Sequence, residues 1–197
     1  MPVGGPAAPG GERSGGPLTP AGALRDSVAI MADWGLRPAS AYDVEAVAEL
    51  RAVVLRADLE RLGRYDERRV RQRLRDGFDP AHTWVIEAGD AFAGCVALRP
   101  AEESRRPQWW KERWLEHFYL APHLQGRGIG SDVLRELLER CDRDGVLVRL
   151  NVLQGSPARR LYERHGFRVG TEDAVDVFMV REPNPACGAS GQESQSL

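Results

Sequence analysis

Between a strand-like run, Trp114 to Leu120, and a helix-like run, Ile129 to Cys141, the chain carries Gln125-Gly126-Arg127-Gly128-Ile129-Gly130-Ser131. A glycine-rich turn feeding a helix leaves several backbone N–H groups pointing outward at the positive end of the helix dipole. That arrangement binds phosphate. The stretch therefore predicts a strand–turn–helix unit and a site for a phosphorylated cofactor.

Three kinds of phosphate loop compete for this turn. A P-loop needs Lys and then Ser or Thr after its last glycine. Here Gly130 is followed by Ser131 and Asp132, so that reading fails. The dinucleotide fingerprint is G-x-G-x-x-G with an acidic residue roughly 20 residues on. The glycines here run G-x-G-x-G, and the next strand ends near Asn151, so the match is weak. The third pattern, Q/R-x-x-G-x-G/A, is met by Gln125, Gly128 and Gly130.

A second motif follows, from Ser156 to Phe167. Ser156 suits a helix N-cap and Pro157 the first helical position. Gly166 suits the C-terminal stop. Ala158, Leu161, Tyr162 and His165 fall on one helical face. The two motifs lie roughly 30 residues apart, the spacing of a βαβ unit. In both, the chain resembles the GNAT superfamily of N-acyltransferases. Their Q/R-x-x-G-x-G/A loop cradles the pyrophosphate of acetyl-CoA, and their A-x-x-L-Y-E-x-x-G-F segment follows the fifth strand. The resemblance covers roughly residues 34 to 182 and is strongest over 114 to 167.

Length and composition fit that reading. The 197 residues suffice for one domain of ordinary size. Lys plus Arg is 27 and Asp plus Glu is 29, a formal charge of −2. The arginines alternate with acids, as in Leu134 to Asp144, so they read as solvated helix faces and no nucleic-acid partner is expected. No apolar run approaches the ~18 residues of a membrane span, and no secretion signal is legible, so no membrane association is expected. Cys95, Cys141 and Cys187 have neither disulfide nor metal spacing, which predicts a reduced, cytoplasmic setting and no metal. Residues 1–33 are rich in Gly and Pro and read as a disordered extension, with Met31 a candidate physiological start. The domain is expected over 34–182, and 183–197 reads as a second disordered tail. A monomer or homodimer is expected.

The element pattern is as follows. Trp34 to Ala39 is a strand, and Asp43 caps a helix through about Arg56. A second helix spans about Asp66 to Asp76. His82 to Glu87 and Phe92 to Arg99 form a hairpin about Gly89-Asp90, and Pro100 to Pro107 is a polar loop. Trp114 to Leu120 leads into the glycine turn and its helix. Val146 to Val152, the Ser156 helix, and strands Phe167 to Gly170 and Val175 to Arg181 complete the domain. This order, β-α-α-β-β-β-α-β-α-β-β, is an α/β mixed sheet with helices on both faces and resembles the GNAT fold. In that family the fourth and fifth strands splay apart and hold the pantetheine arm of the cofactor.

Acetyl transfer to an amine needs a proton acceptor. An alkylamine of pKa about 10.4 is almost wholly ammonium at pH 7, which costs on the order of 4.6 kcal/mol in free amine. Glu116 is the candidate base, in the strand before the turn, where many GNAT enzymes carry Glu or His. Strict alternation places Trp114, Glu116 and Phe118 on one face and Leu115, His117 and Tyr119 on the other. His117 is the second candidate, but on the far face; a plain Glu–Arg pair is the alternative for Glu116. Tyr162 matches the family tyrosine that protonates the CoA sulfur, with simple packing as its alternative. The resemblance also implies that backbone groups of Phe118, Tyr119 and Leu120 pair with pantetheine. Gln125, Gly126, Arg127, Gly128, Ile129, Gly130 and Ser131 would hold the pyrophosphate. Where the family often has Asn before the last helix, this chain has Gly155, and Ser156 is the candidate substitute. A cysteine acyl-enzyme is disfavoured, because Cys95 and Cys141 read as core and Cys187 as tail.

The acceptor is a small-molecule or protein amine. The family's acceptor region corresponds to Asp58, Glu60, Tyr65, Asp66, Glu102, Glu103, Trp109 and Trp110, whose acids and aromatics suit a cationic amine. The leading expectation is an acetyl-CoA-dependent N-acetyltransferase. A non-catalytic CoA-binding module and an unrelated nucleotide-binding domain are the alternatives.

Overall fold

Buried positions alternate along β7, run without a break from Ala93 to Leu98 in β3, and follow a helical stripe in α2 and α3. A computed structural model of the chain describes residues 33–101 and 111–184. In chain order these are β1 (Trp34–Pro38), α1 (Val44–Arg61), α2 (Glu67–Gly77), β2 (Thr83–Ala88), β3 (Ala91–Pro100) and β4 (Glu112–Leu120). Then come α3 (Ile129–Arg143), β5 (Leu147–Leu153), α4 (Ala158–Arg164), β6 (Arg168–Glu172) and β7 (Asp176–Arg181). The order is the expected one. The two segments expected to be tails, apart from Asp33 and residues 183–184, lie outside the described residues, as does most of the loop expected over Pro100 to Pro107.

The strands form one sheet in the order β1-β2-β3-β4-β5-β7-β6. Neighbours are antiparallel except β4 and β5, which are parallel. A parallel pair needs a crossover connection, and α3 supplies it. The larger buried cluster joins the sheet to α3 and α4 and includes Val96, Leu98, Leu115, Leu134, Leu137, Leu150, Tyr162 and Met179. The smaller one lies under α1 and α2 and joins Val47, Ala48, Leu50 and Leu74 to Cys95 and Tyr119. No helix among the described residues is long and apolar enough to cross a membrane.

Local chemistry sets the helix ends. Helix α1 runs a full turn past Arg56, because Ala57, Leu59, Glu60 and Arg61 are good helix formers and the chain turns only at Gly63, with φ +66°. Asp43 serves this end differently from a plain N-cap. Its carboxylate accepts from the Ser40 N–H at 2.7 Å and from Arg37 at 2.7 and 3.0 Å. Asp66 is a true cap, accepting from the Arg69 N–H at 2.7 Å. Ser156 is not: Pro157 occupies the cap position, and no capping bond reaches the Ser156 hydroxyl among the described residues.

Strand β4 breaks its own alternation. Glu116 pairs with Ala97 and Tyr119 with Cys95, so His117 and Phe118 together face the single residue Val96. This is a β-bulge, and His117 takes φ +51°, the one positive φ outside glycine among the described residues. The extra residue reverses the facing of everything after it. Phe118 therefore packs on the Leu115 cluster, while Tyr119 enters the opposite one. Gly94 pairs with Leu120 just past the bulge, and an added Cβ there would collide with the Tyr119 carbonyl.

Candidate active site

The β4–β5 pairing stops almost as soon as it begins. Only Glu112, Arg113 and Trp114 pair with Leu147, Val148 and Arg149. Past Trp114 the two strands part, and their facing edges line an open cleft of about 1620 Å³. Unpaired strand edges expose backbone N–H and C=O groups able to bond a ligand. One wall of the cleft is α1, through Arg51, Val54, Leu55, Asp58 and Leu62, an i, i+3, i+4 stripe. The other includes Ala158, Leu161 and Tyr162 of α4.

The glycine turn closes one end. Gln125 Nε2 donates to the Leu120 carbonyl at 2.8 Å, tying the turn to the last residue of β4. Gly126 and Gly128 have φ +74° and +91°, a left-handed pair that brings successive N–H groups to one side. Among the described residues, no backbone acceptor meets the N–H groups of Gly126 to Gly130. The first intrahelical bonds begin with Ser131 and Asp132, both donating to the Gly128 carbonyl. Ser131 Oγ sits 2.7 Å from His165 Nε2, bracing the start of α3 against the end of α4. Bare N–H groups at a helix start fit a phosphate.

Of the residues singled out from sequence, the structure gathers Glu116, Phe118, Tyr119, Leu120, Gln125, Gly126, Gly128, Gly130, Ser131, Ser156 and Tyr162 around this cleft. Arg127 and Ile129 do not line it. The Ile129 side chain is buried in the core, and Arg127 is exposed.

His117 was expected on the opposite face from Glu116. The bulge places both in the same cleft. Glu116 Oε1 accepts from Arg99 Nε at 2.7 Å. His117 Nδ1 lies 3.3 Å from the Tyr119 hydroxyl and 3.5 Å from Arg51 Nη1. Burial pushes its pKa down to about 4; Glu116 opposes this, and the Arg51 and Arg99 charges add to it. The imidazole is therefore neutral at pH 7. Tyr162 is buried, and its ring meets Phe167 edge-on with centroids 5.7 Å apart. No hydrogen bond reaches its hydroxyl among the described residues, and burial pushes the phenol pKa upward.

The acids expected to face a cationic acceptor are occupied. Asp58 accepts from Arg61 at 2.9 Å, Glu60 accepts from Arg56 at 2.8 Å, and Asp66 caps α2. The Tyr65 ring is covered by Arg56, at 5.1 Å. Glu102, Glu103, Trp109 and Trp110 lie outside the described residues. Arg51, which sequence reasoning passed over, lines the cleft with its Nε buried and without a partner. Its only signal in the sequence was an arginine on the apolar side of α1. Arg61 was also unremarked; its guanidinium reaches across from the end of α1 to the Gln154 carbonyl. Cys95 is buried and its thiol pushed up to about 12 by that burial, and Cys141 is buried too. No group of three His, Cys, Asp or Glu among the described residues is placed to hold a metal.

Residues 79–169 match the family model described as an acetyltransferase (GNAT) domain. Solved structures share the fold at low identity. The PaiA N-acetyltransferase of Thermoplasma acidophilum, in complex with coenzyme A, is 20% identical with a TM-score of 0.59, over 76% of this chain and 98% of that one. Ard1 from Thermoplasma volcanium is 20% identical with a TM-score of 0.56, over 77% and 98%. The ribosomal-protein-S18-alanine N-acetyltransferase of Escherichia coli is 15% identical with a TM-score of 0.55, over 82% and 99%. No curated protein matches the sequence.

Proposed function

We propose that this chain, whose residues 79–169 match an acetyltransferase (GNAT) domain, moves an acetyl group from acetyl-CoA to an amine by direct attack. The reading rests on one observation above others: the parting of β4 from β5 past Trp114, with the bare N–H groups of the glycine turn at one end of the gap. The turn would hold the pyrophosphate, and Ser156 and the free edge of Phe118 to Leu120 would flank the pantetheine arm.

In the transfer, the amine nitrogen forms a bond to the thioester carbon and the carbon–sulfur bond breaks. The nitrogen gives up one proton and the departing thiolate takes one. Glu116 is the acceptor of the first, directly or through water. Its pairing with Arg99 orients it on the α1 side of the cleft. Tyr162 supplies the second. Its hydroxyl lines the cleft and is engaged by no described group, so it is open to hydrogen-bond and protonate the departing sulfur. The buried, high-pKa Cys95 is unsuited to an acyl-enzyme route.

Calorimetry with acetyl-CoA, CoA and ATP, joined to a free-thiol release assay over an amine panel, tests the proposal. The expected result is binding of both CoA forms, no binding of ATP at comparable concentration, and amine-dependent thiol release. Failure to bind CoA rejects it. Binding without release on a broad panel would make the chain a CoA-binding module.

A further inference from the structure

Helix α1 places a cation where the acceptor side of the cleft needs explaining. Arg51 lies on the cleft wall, its Nε shut off from solvent with no hydrogen-bond acceptor. The neutral His117 ring lies 3.5 Å from Nη1 and offers no charge to offset it. No described carboxylate forms an ion pair with it. Glu116 is held by Arg99, Asp58 by Arg61, and Asp66 by the α2 N-terminus. Asp173 and Asp176, on the far wall, are engaged by the turn N–H groups and by Asn151. A half-buried guanidinium charge without an ion-pair partner is costly unless an anionic ligand completes it.

Arg51 faces the bulge of β4, where its Nη1 lies 3.5 Å from Nδ1 of His117, the residue next to Glu116. Apolar Val54 and Leu55 follow it along the same wall.

We infer that the acceptor is an amine that also carries a carboxylate, an amino-acid-like molecule, and that Arg51 binds that carboxylate. A planar carboxylate entering from the cleft matches the guanidinium fork and would supply the anion that no described residue gives Arg51. It would fix the amine beside Glu116, with the acceptor's side chain against Val54 and Leu55. This inference rests on the acetyltransferase reading.

The test uses matched acceptors: amino acids, their amides, and the corresponding amines without the carboxyl group. Thiol release is measured with the full chain, Arg51→Gln and Arg51→Lys, and acetyl-CoA affinity is measured in parallel by calorimetry. The expected result is a kcat/KM at least tenfold higher for the acids than for their amides. Arg51→Gln should erase that preference mainly through KM, and Arg51→Lys should keep part of it, with acetyl-CoA affinity unchanged in both. Equal use of amides, or a preference that survives Arg51→Gln, overturns the inference while leaving acetyl transfer intact. If no acceptor turns over, binding of N-acetyl amino acids against N-acetyl amides to the CoA-loaded protein decides, and equal binding overturns it. Loss of acetyl-CoA binding by the unaltered protein would instead reject the acetyltransferase reading itself.

Discussion

Arg99 Nε and Glu116 Oε1 lie 2.7 Å apart, on adjacent strands and on the side of the sheet that faces α1. The pair is partly exposed, so it orients the carboxylate more than it stabilises the fold. If Glu116 is the base, Glu116→Gln should lower turnover by about 10²-fold or more with little change in acetyl-CoA affinity. Thiol release and calorimetry on the same preparation check this; wild-type turnover would leave Glu116 as an ion-pair partner only.

Tyr162→Phe keeps the edge-on contact with Phe167 and removes a hydroxyl that no described group engages. The melting temperature should hardly move, while turnover falls about 10-fold or more. Tyr162→Ala should instead destabilise the fold by roughly 3 kcal/mol through the cavity it leaves. A Phe variant as active as the parent would assign Tyr162 to packing alone.

Gly128→Ala and Gly130→Ala separate backbone conformation from space. A Cβ at Gly128 finds nothing nearer than an Asp132 oxygen at 4.0 Å, but φ +91° strains any L side chain. The strain is about 1 kcal/mol or more and falls on the N–H groups proposed to hold phosphate. Acetyl-CoA affinity should drop several-fold. At Gly130 the Cβ would meet Leu161 and Phe118 at an ordinary 3.8 Å, within α3, so the fold should tolerate it. Titration calorimetry distinguishes the two; equal affinities for the Gly128 variant and the parent would place the phosphate elsewhere.

His117 should leave a mark on acid stability. Its folded pKa is about 4 against about 6.5 when unfolded. Between those values the unfolded chain binds a proton the folded chain does not, so stability falls as pH drops from 6.5 to 4. The slope from this one group approaches 1.4 kcal/mol per pH unit, about the limit for a single proton. Urea unfolding across that window, compared with His117→Gln, should show a shallower dependence in the variant. Identical slopes would mean the imidazole is more hydrated than its position implies.

Cys95 and Cys141 are buried, and their thiols are raised by that burial. A chain with Cys95→Ala, Cys141→Ala and Cys187→Ala should retain most turnover, within the limits of core loosening. An acyl adduct trapped on a cysteine by mass spectrometry would contradict direct attack.

Much of this protein was legible in local chemistry. The order of strands and helices follows from apolar periodicity, and the stops at Gly63 and Gly166 from the left-handed conformations glycine accepts. The glycine turn announces bare N–H groups through spacing alone. These are properties of contiguous residues, and neighbours in sequence suffice to set them. The rest needed contacts between segments far apart in the chain. Strict alternation would separate Glu116 from His117; the bulge opposite Val96 brings them into one cleft, and only the register of β3 against β4 decides that. Which acids are free depends on arginines one helical turn or one strand away, so Asp58, Glu60 and Asp66 could not be ruled out as acceptor ligands by composition. Arg51 had no motif at all. It matters because folding buries its Nε across from β4 and provides no partner, a fact that exists only once the tertiary structure has formed.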